Sequence, residues 1–284
     1  MKKIPVVAGS IIVAALIAVA VVYLGQQLAQ RPDEARVVAL IEERVQRAEG
    51  ALHSAPPSAA PGVQKSPAMS DKELDARVRK GIIAFIDEQQ HAERDRPNQL
   101  ARNVPPPSKD DHVYGDPNAP LSLIEYSDFE CPYCKSVHAT IKRVIDTSNR
   151  KVNWVYRHYP LSMHNPGAQR EAEASECAAQ LGGNEVFWKY ADALYTRTRS
   201  GGHGFPLENL APLALELGLD KAAFEQCLAN GQFTRKIESQ TAEGARAGIS
   251  GTPGNILYSV KKQKVLALHG AQPYENFRNA IDGF

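Results

Sequence analysis

The stretch Leu121-Ser122-Leu123-Ile124-Glu125-Tyr126-Ser127-Asp128-Phe129-Glu130-Cys131-Pro132-Tyr133-Cys134 decides the fold. Its start, Leu121 to Tyr126, reads as a short strand. After it, Lys135 to Thr147 has helical spacing, with Val137, Ile141, Val144 and Ile145 on one face. A strand that runs through Cys-Pro-Tyr-Cys into a helix places Cys131 among unpaired N–H groups at the positive end of the helix dipole. Such cysteines ionise at roughly pH 3.5–7.5 rather than about 8.5. Pro132 suits the first turn, where the N–H it lacks would have no partner. Cys134 follows one turn later, close enough to close a small disulfide or to resolve a mixed one. Zinc would need a second ligand pair, and Cys177 and Cys227 are too scattered for the usual spacing. Covalent haem would need His after the second cysteine, where Lys135 stands. Redox chemistry is the reading these residues favour, with neither metal nor organic cofactor.

From about Val113 to its C-terminus, the chain resembles the DsbA-like branch of the thioredoxin superfamily. Those proteins are extracytoplasmic thiol:disulfide oxidoreductases with a thioredoxin fold and an inserted helical domain. The resemblance implies an α/β, thioredoxin-like domain over residues 111–284, with a helical insertion at about 160–248. Hydrophobic pattern agrees with it. Lys151 to Tyr156 alternates like a strand, and Tyr156-Arg157-His158-Tyr159-Pro160-Leu161 is similar to a family signature where the insertion begins. Helical segments come next at 167–181, 185–197, 207–216, 221–229 and 233–247, separated by glycine-bearing turns. Strands at 255–260 and 264–268 and a helix at 272–284 close the chain.

Site residues come from the same resemblance. Cys131 is the expected nucleophile and Cys134 its resolving partner, with Pro132 and Tyr133 tuning the redox poise. Thr252-Pro253 looks like the family's cis-proline loop, which offers backbone to an extended substrate peptide. Relatives generally continue with Thr and aromatic residues where this chain has Gly254-Asn255-Ile256-Leu257. Glu125 matches a buried acid of relatives that exchanges protons with the second cysteine; a surface glutamate is the alternative. Glu130 is expected to be exposed and to oppose thiolate formation mildly. Cys177 and Cys227, about 50 positions apart, sit where some relatives carry a structural disulfide; two buried free thiols are the alternative. His138, one turn after Cys134, reads as a helix-surface residue, with a place near the active site as the alternative, while His158 and His164 could line the substrate groove.

Upstream, Lys2 and Lys3 precede an uncharged run, Ile4 to Leu24, long enough to span a bilayer. A retained signal anchor (residues 1–24) is favoured over a cleaved signal, because the apolar run continues past a candidate Ala18-x-Ala20 cleavage site. Either exports the rest of the chain, and in a bacterium that means an inner-membrane protein facing the periplasm, or a secreted periplasmic one. Residues 25–110 read as a helical stalk with Pro-rich linkers. Val38, Ile41, Val45, Ala48 and Leu52 fall at coiled-coil spacings. His53 to Ala68 is an extended linker. Ser70 and Glu73 form a capping box for a helix with Leu74, Val78, Ile82, Phe85 and Ile86 as its stripe, expected to end before Pro97. A homo-oligomer through these helices is one use of them, and a stalk or a helix docked on its own domain is another. Asn103 to Pro107 reads as a second spacer.

The 284 residues carry 33 Lys+Arg against 32 Asp+Glu, a balance that gives no reason to expect a nucleic-acid partner. The expected partners are exported proteins with cysteines and a redox partner that resets the pair. The favoured reading is a thiol:disulfide oxidase that introduces disulfides into exported proteins through Cys131, with a disulfide isomerase or reductase on the same fold and a non-catalytic client-binding assembly factor as the alternatives.

Overall fold

A computed structural model describes residues 71–284, apart from residue 260. The expected membrane span at 4–24, the heptad segment to Leu52, the linker to Ala68 and the Ser70 cap all lie outside the described residues, as does the side chain of Leu74.

A five-stranded sheet has the order β1-β3-β2-β4-β5, formed by β1 (His112–Tyr114), β2 (Leu121–Ser127), β3 (Val152–His158), β4 (Gly254–Ser259) and β5 (Lys264–His269). β2 and β3 run parallel, and every other pair is antiparallel. β2 and β3 are buried along their whole length, as a central pair covered on both faces must be. Alternation divides their side chains between two cores. Leu121, Leu123, Trp154 and Tyr156 face one core; Ile124, Tyr126 and Val155 face the other.

The first core is closed by α2 (Pro132–Asp146) and α7 (Tyr274–Asp282), with α3 (Gly167–Arg197) beside them. α2 buries Val137, Ile141, Val144 and Ile145, the stripe its sequence predicts. Between β3 and β4 the described chain is helical: α3, α4 (Leu210–Glu216), α5 (Lys221–Asn230), α6 (Thr234–Arg246) and two short 3₁₀ turns. In α3 the two segments expected from the pattern form one run broken at Gly183, whose φ of 78° suits a residue without a Cβ. Asp220 caps α5 by accepting from the Ala223 amide at 2.7 Å. A disulfide joins Cys177 of α3 to Cys227 of α5.

Two features depart from expectation. β1, unmarked in the sequence, pairs with β3 as an antiparallel edge; three residues are too few for a period-2 signal. α1 (Asp71–Ala101) also runs through Pro97 instead of ending before it. Tertiary contacts hold its last turn: Ala101 is fully buried, and Asn98 Oδ1 accepts the Ala267 amide of β5 at 2.9 Å. Asn103 then donates to the Arg246 carbonyl at 3.0 Å. The spacer beyond is fixed by Arg157, which donates to the Pro105 and Pro106 carbonyls at 3.1 and 3.2 Å while pairing with Asp111. The middle of α1 differs: Val78, Ile82, Ile83, Phe85 and Ile86 are all exposed.

Candidate active site

Cys131 is the N-cap of α2, in extended conformation (φ −79°, ψ 123°), with Pro132 in the first turn. Its carbonyl accepts the Lys135 amide at 3.0 Å, the first bond of the helix. Pro132 and Tyr133 are exposed, whereas Cys131 and Cys134 are buried, Cys134 completely. Both sulfurs are thiols here. The Thr252–Pro253 bond is cis, and the Thr252 carbonyl accepts the Cys131 thiol at 3.3 Å. The Pro253 carbonyl is held by the Gly270 amide at 3.1 Å, which fixes the loop against the end of β5. Ile249 fills the space over Gly254, where a Cβ would lie 2.5 Å from its methyl. The structure therefore brings Cys131, Cys134, Thr252 and Pro253 together.

The two sulfurs differ in acidity. The Cys134 thiol beside it lowers the Cys131 pKa to about 6, against the opposing effect of burial, with help from Thr252 and the Cys134 and Tyr133 amides. Burial drives Cys134 well above the usual thiol range, and the neighbouring Cys131 and Glu125 push the same way. One sulfur is thus an anion near neutrality and the other a thiol.

Glu125 lies on the β2 face beneath α2, 1% exposed. Burial raises its carboxyl to about 7, against the lowering effect of Ser127 and Trp154 facing it. The Ser127 hydroxyl donates to Glu125 Oε1 at 2.7 Å and lies 2.8 Å from the Tyr195 hydroxyl, which is 3.1 Å from that of Tyr156. Ser127 was legible in principle, since residues i and i+2 of a strand share a face. Tyr195 was not: it arrives from α3, nearly seventy positions away.

Glu130 corrects an expectation. It is fully buried, not exposed. Its carboxylate accepts the Thr198 hydroxyl at 2.6 Å and the amides of Gly202, Gly204 and Phe205 at 2.6, 2.7 and 3.1 Å. Burial opposes its charge, but Glu171, Thr198 and the glycine amides outweigh that and hold its pKa below the usual range. Glu171, buried beside it, is pushed up to about 10 by burial, then by its hydrogen bond to Glu130 and by the Glu130 charge, so it stays protonated at neutral pH. The charge next to Cys131 is thus consumed in fixing the 198–205 loop.

The histidines are also corrected. His138 is buried, not on the surface, with Nε2 2.7 Å from Asp192. His158 is buried against Glu176 at 3.0 Å, and His164 lies 2.7 Å from Asp128. Neither of the last two is free to line a groove. Asp128 also accepts the Leu161 and Glu130 amides at 3.0 and 2.8 Å, which ties the segment before Cys131 to the chain leaving β3. Cys177 and Cys227 sit apart from the site, in their own bridge. Among the described residues no cluster of His, Cys, Asp and Glu is arranged to hold a metal ion.

A cysteine pair at a strand-to-helix junction, split in acidity and faced by a cis-proline, defines a thiol–disulfide oxidoreductase site on a thioredoxin fold. Comparison with known proteins agrees. A thioredoxin family model matches residues 107–283. The crystal structure of Pseudomonas aeruginosa DsbA2 is similar with a TM-score of 0.55 and 31% identity, over 63% of this chain and 96% of that one. Oxidised BdbD of Bacillus subtilis matches with a TM-score of 0.52 and 20% identity, over 63% and 96%, a likeness of fold. The chain belongs to the thioredoxin family, in its DsbA-like branch of thiol–disulfide oxidoreductases. A curated relative, the Na(+)/H(+) antiporter NhaA 3 of Salinispora tropica, is 34% identical over 152 residues, 53% of this chain and 22% of the antiporter. The chain spans about a fifth of the length of that relative, and transport does not carry over from so partial a match.

Proposed function

We propose that this protein is a disulfide oxidase that introduces disulfides into exported proteins through Cys131. The supporting observation is the asymmetry of the pair, with the Cys131 pKa lowered to about 6 by Cys134 and the helix-start amides, and Cys134 kept as a buried thiol. A substrate thiolate attacks Cys131 Sγ of the Cys131–Cys134 disulfide, and the Cys134 sulfur leaves and takes up a proton. A second substrate thiolate then attacks the substrate sulfur of the mixed disulfide and expels Cys131 as thiolate. The substrate loses two electrons and the enzyme disulfide gains them. A stabilised thiolate is a good leaving group, and stabilising the reduced enzyme makes the oxidised enzyme a stronger oxidant. The loop at Thr252–Pro253 is positioned to pair its backbone with an extended substrate segment, and a separate redox partner restores the disulfide.

The proposed setting is the periplasm, with residues 4–24 as an anchor; among the described residues no helix is long and apolar enough to cross a membrane. A disulfide isomerase or reductase is the second reading. The exposed apolar face of α1 favours it, because a second copy of the chain could cover that face and isomerases of the superfamily are oligomeric. The test is oxidation of a reduced, cysteine-containing client. Cys131→Ala should lose activity essentially completely, and Cys134→Ala should accumulate mixed disulfides through Cys131. Full client oxidation by Cys131→Ala would remove the assignment.

A further inference from the structure

The inserted helices also reach the proton chemistry of the pair. We propose that Tyr195 and Ser127, with Tyr156 behind them, form a hydroxyl chain that sets how strongly Glu125 holds its proton, and so when Cys134 can gain or lose one. The proposal rests on the reading of Cys131–Cys134 as the reacting pair and goes beyond it to residues that touch neither sulfur's substrate.

Tyr156, Tyr195, Ser127 and Glu125 are linked at 3.1, 2.8 and 2.7 Å in that order, and all four are nearly or fully buried. Each hydroxyl has one proton. When Glu125 is ionised, Ser127 donates to it, Tyr195 donates to Ser127 and Tyr156 donates to Tyr195, so every dipole points at the carboxylate. When Glu125 is protonated, it can donate to Ser127 and the chain reverses. Chains of this kind polarise one another, and buried ones more strongly. Other groups face the acid too: Cys131 and Cys134 from α2, Trp154 from β3, and Asn255, opposite Glu125 in the β2–β4 register. Of these, Trp154 also acts on the carboxyl as a side-chain hydrogen-bond partner and lowers its pKa, while Ser127 is the group that donates to Oε1 at 2.7 Å. His138 of α2 lies against the Tyr195 ring, centroids 4.5 Å apart, and is paired with Asp192, which also binds Lys142.

With substrate joined to Cys131, Cys134 gives its proton to the Glu125 carboxylate and attacks Cys131 Sγ. The Cys131–Cys134 bond forms, the bond to substrate breaks, and the substrate leaves as thiolate. In the oxidising direction the same proton returns from Glu125 to Cys134 as its sulfur departs. Ser127, Tyr195 and Tyr156 are positioning residues that touch no substrate; Ser127 also faces Cys134 directly and lowers its pKa.

The experiment tracks release of glutathione from its mixed disulfide with Cys131 as a function of pH, in the wild-type protein and in single variants. The wild type should show an inflection near neutral pH that Glu125→Gln abolishes. Ser127→Ala should move it upward by roughly one pH unit, the scale of losing a hydrogen bond to a charged group. Tyr195→Phe should move it the same way by roughly half a unit, because it removes only the polarising neighbour, and Tyr156→Phe by less. Ser127→Thr, which keeps the hydroxyl, should leave it in place. A role confined to packing would change stability and not the inflection. If Glu125→Gln abolishes the inflection but Ser127→Ala and Tyr195→Phe leave it unmoved, the chain is refuted while Glu125 keeps its role. If the wild type has no inflection that Glu125→Gln removes, both fall. If the glutathione adduct does not form on Cys131, as judged by mass, the underlying assignment of the pair fails instead.

Discussion

At the scale of residues, two chemically identical thiols are driven apart by their surroundings. Cys131 sits among donors at a helix start, and Cys134 is fully buried. The folded, reduced protein holds the Cys131 proton less tightly than an unfolded chain does. The stability this confers is full above the ordinary thiol pKa and is lost as pH falls through about 6. Oxidised protein has no such thiolate. The margin of reduced over oxidised protein in urea unfolding should therefore shrink between pH 8 and pH 5; a constant margin would contradict the acidity assigned to Cys131. Glu130 allows a second test. Glu130→Gln keeps the shape but turns one carboxylate oxygen, which accepts two of these four hydrogen bonds, into an NH2 group that cannot accept. It should cost about 1–3 kcal/mol in chemical unfolding and raise amide exchange of the 198–205 loop. The sequence shows the cysteines because a Cys-Pro-Tyr-Cys at a strand end has few other uses. It hides Glu130 because an acid beside a nucleophile reads as exposed until the loop that covers it is known.

Among elements, local pattern and tertiary contact divide the explanation. α2 and the central strands are written in their own periodicity, so stripe and burial coincide. α1 is not: Pro97 predicts a stop, and only docking of Asn98 and Ala101 on the sheet carries the helix past it. β1 exists because β3 offers an edge, which three residues of local sequence could not announce. The α3–α5 pair is held by the Cys177–Cys227 bridge, which closes a loop of 50 residues. The double variant Cys177→Ser/Cys227→Ser should lose about 4 kcal/mol of stability. It should leave the Cys131–Cys134 equilibrium with glutathione where it was, since the bridge lies outside the site. A matching shift of that equilibrium would show that the bridge is redox-coupled rather than structural.

Over the whole described molecule, the inserted helices do more than lengthen a connection. They supply Tyr195 to the hydroxyl network under the pair and Thr198 to Phe205 to the Glu130 carboxylate. The thioredoxin half supplies the sulfurs and the cis-proline. Neither half makes the site alone, and that is why sequence located the reacting atoms but not their setting. If the pair is poised to donate its disulfide, the most direct test is the equilibrium of Cys131–Cys134 with glutathione. The expected reduction potential lies well above the roughly −270 mV of thioredoxin and toward the roughly −120 mV of DsbA. A potential at or below that of thioredoxin would contradict the oxidase reading, because such a pair would be kept reduced and could not oxidise a client.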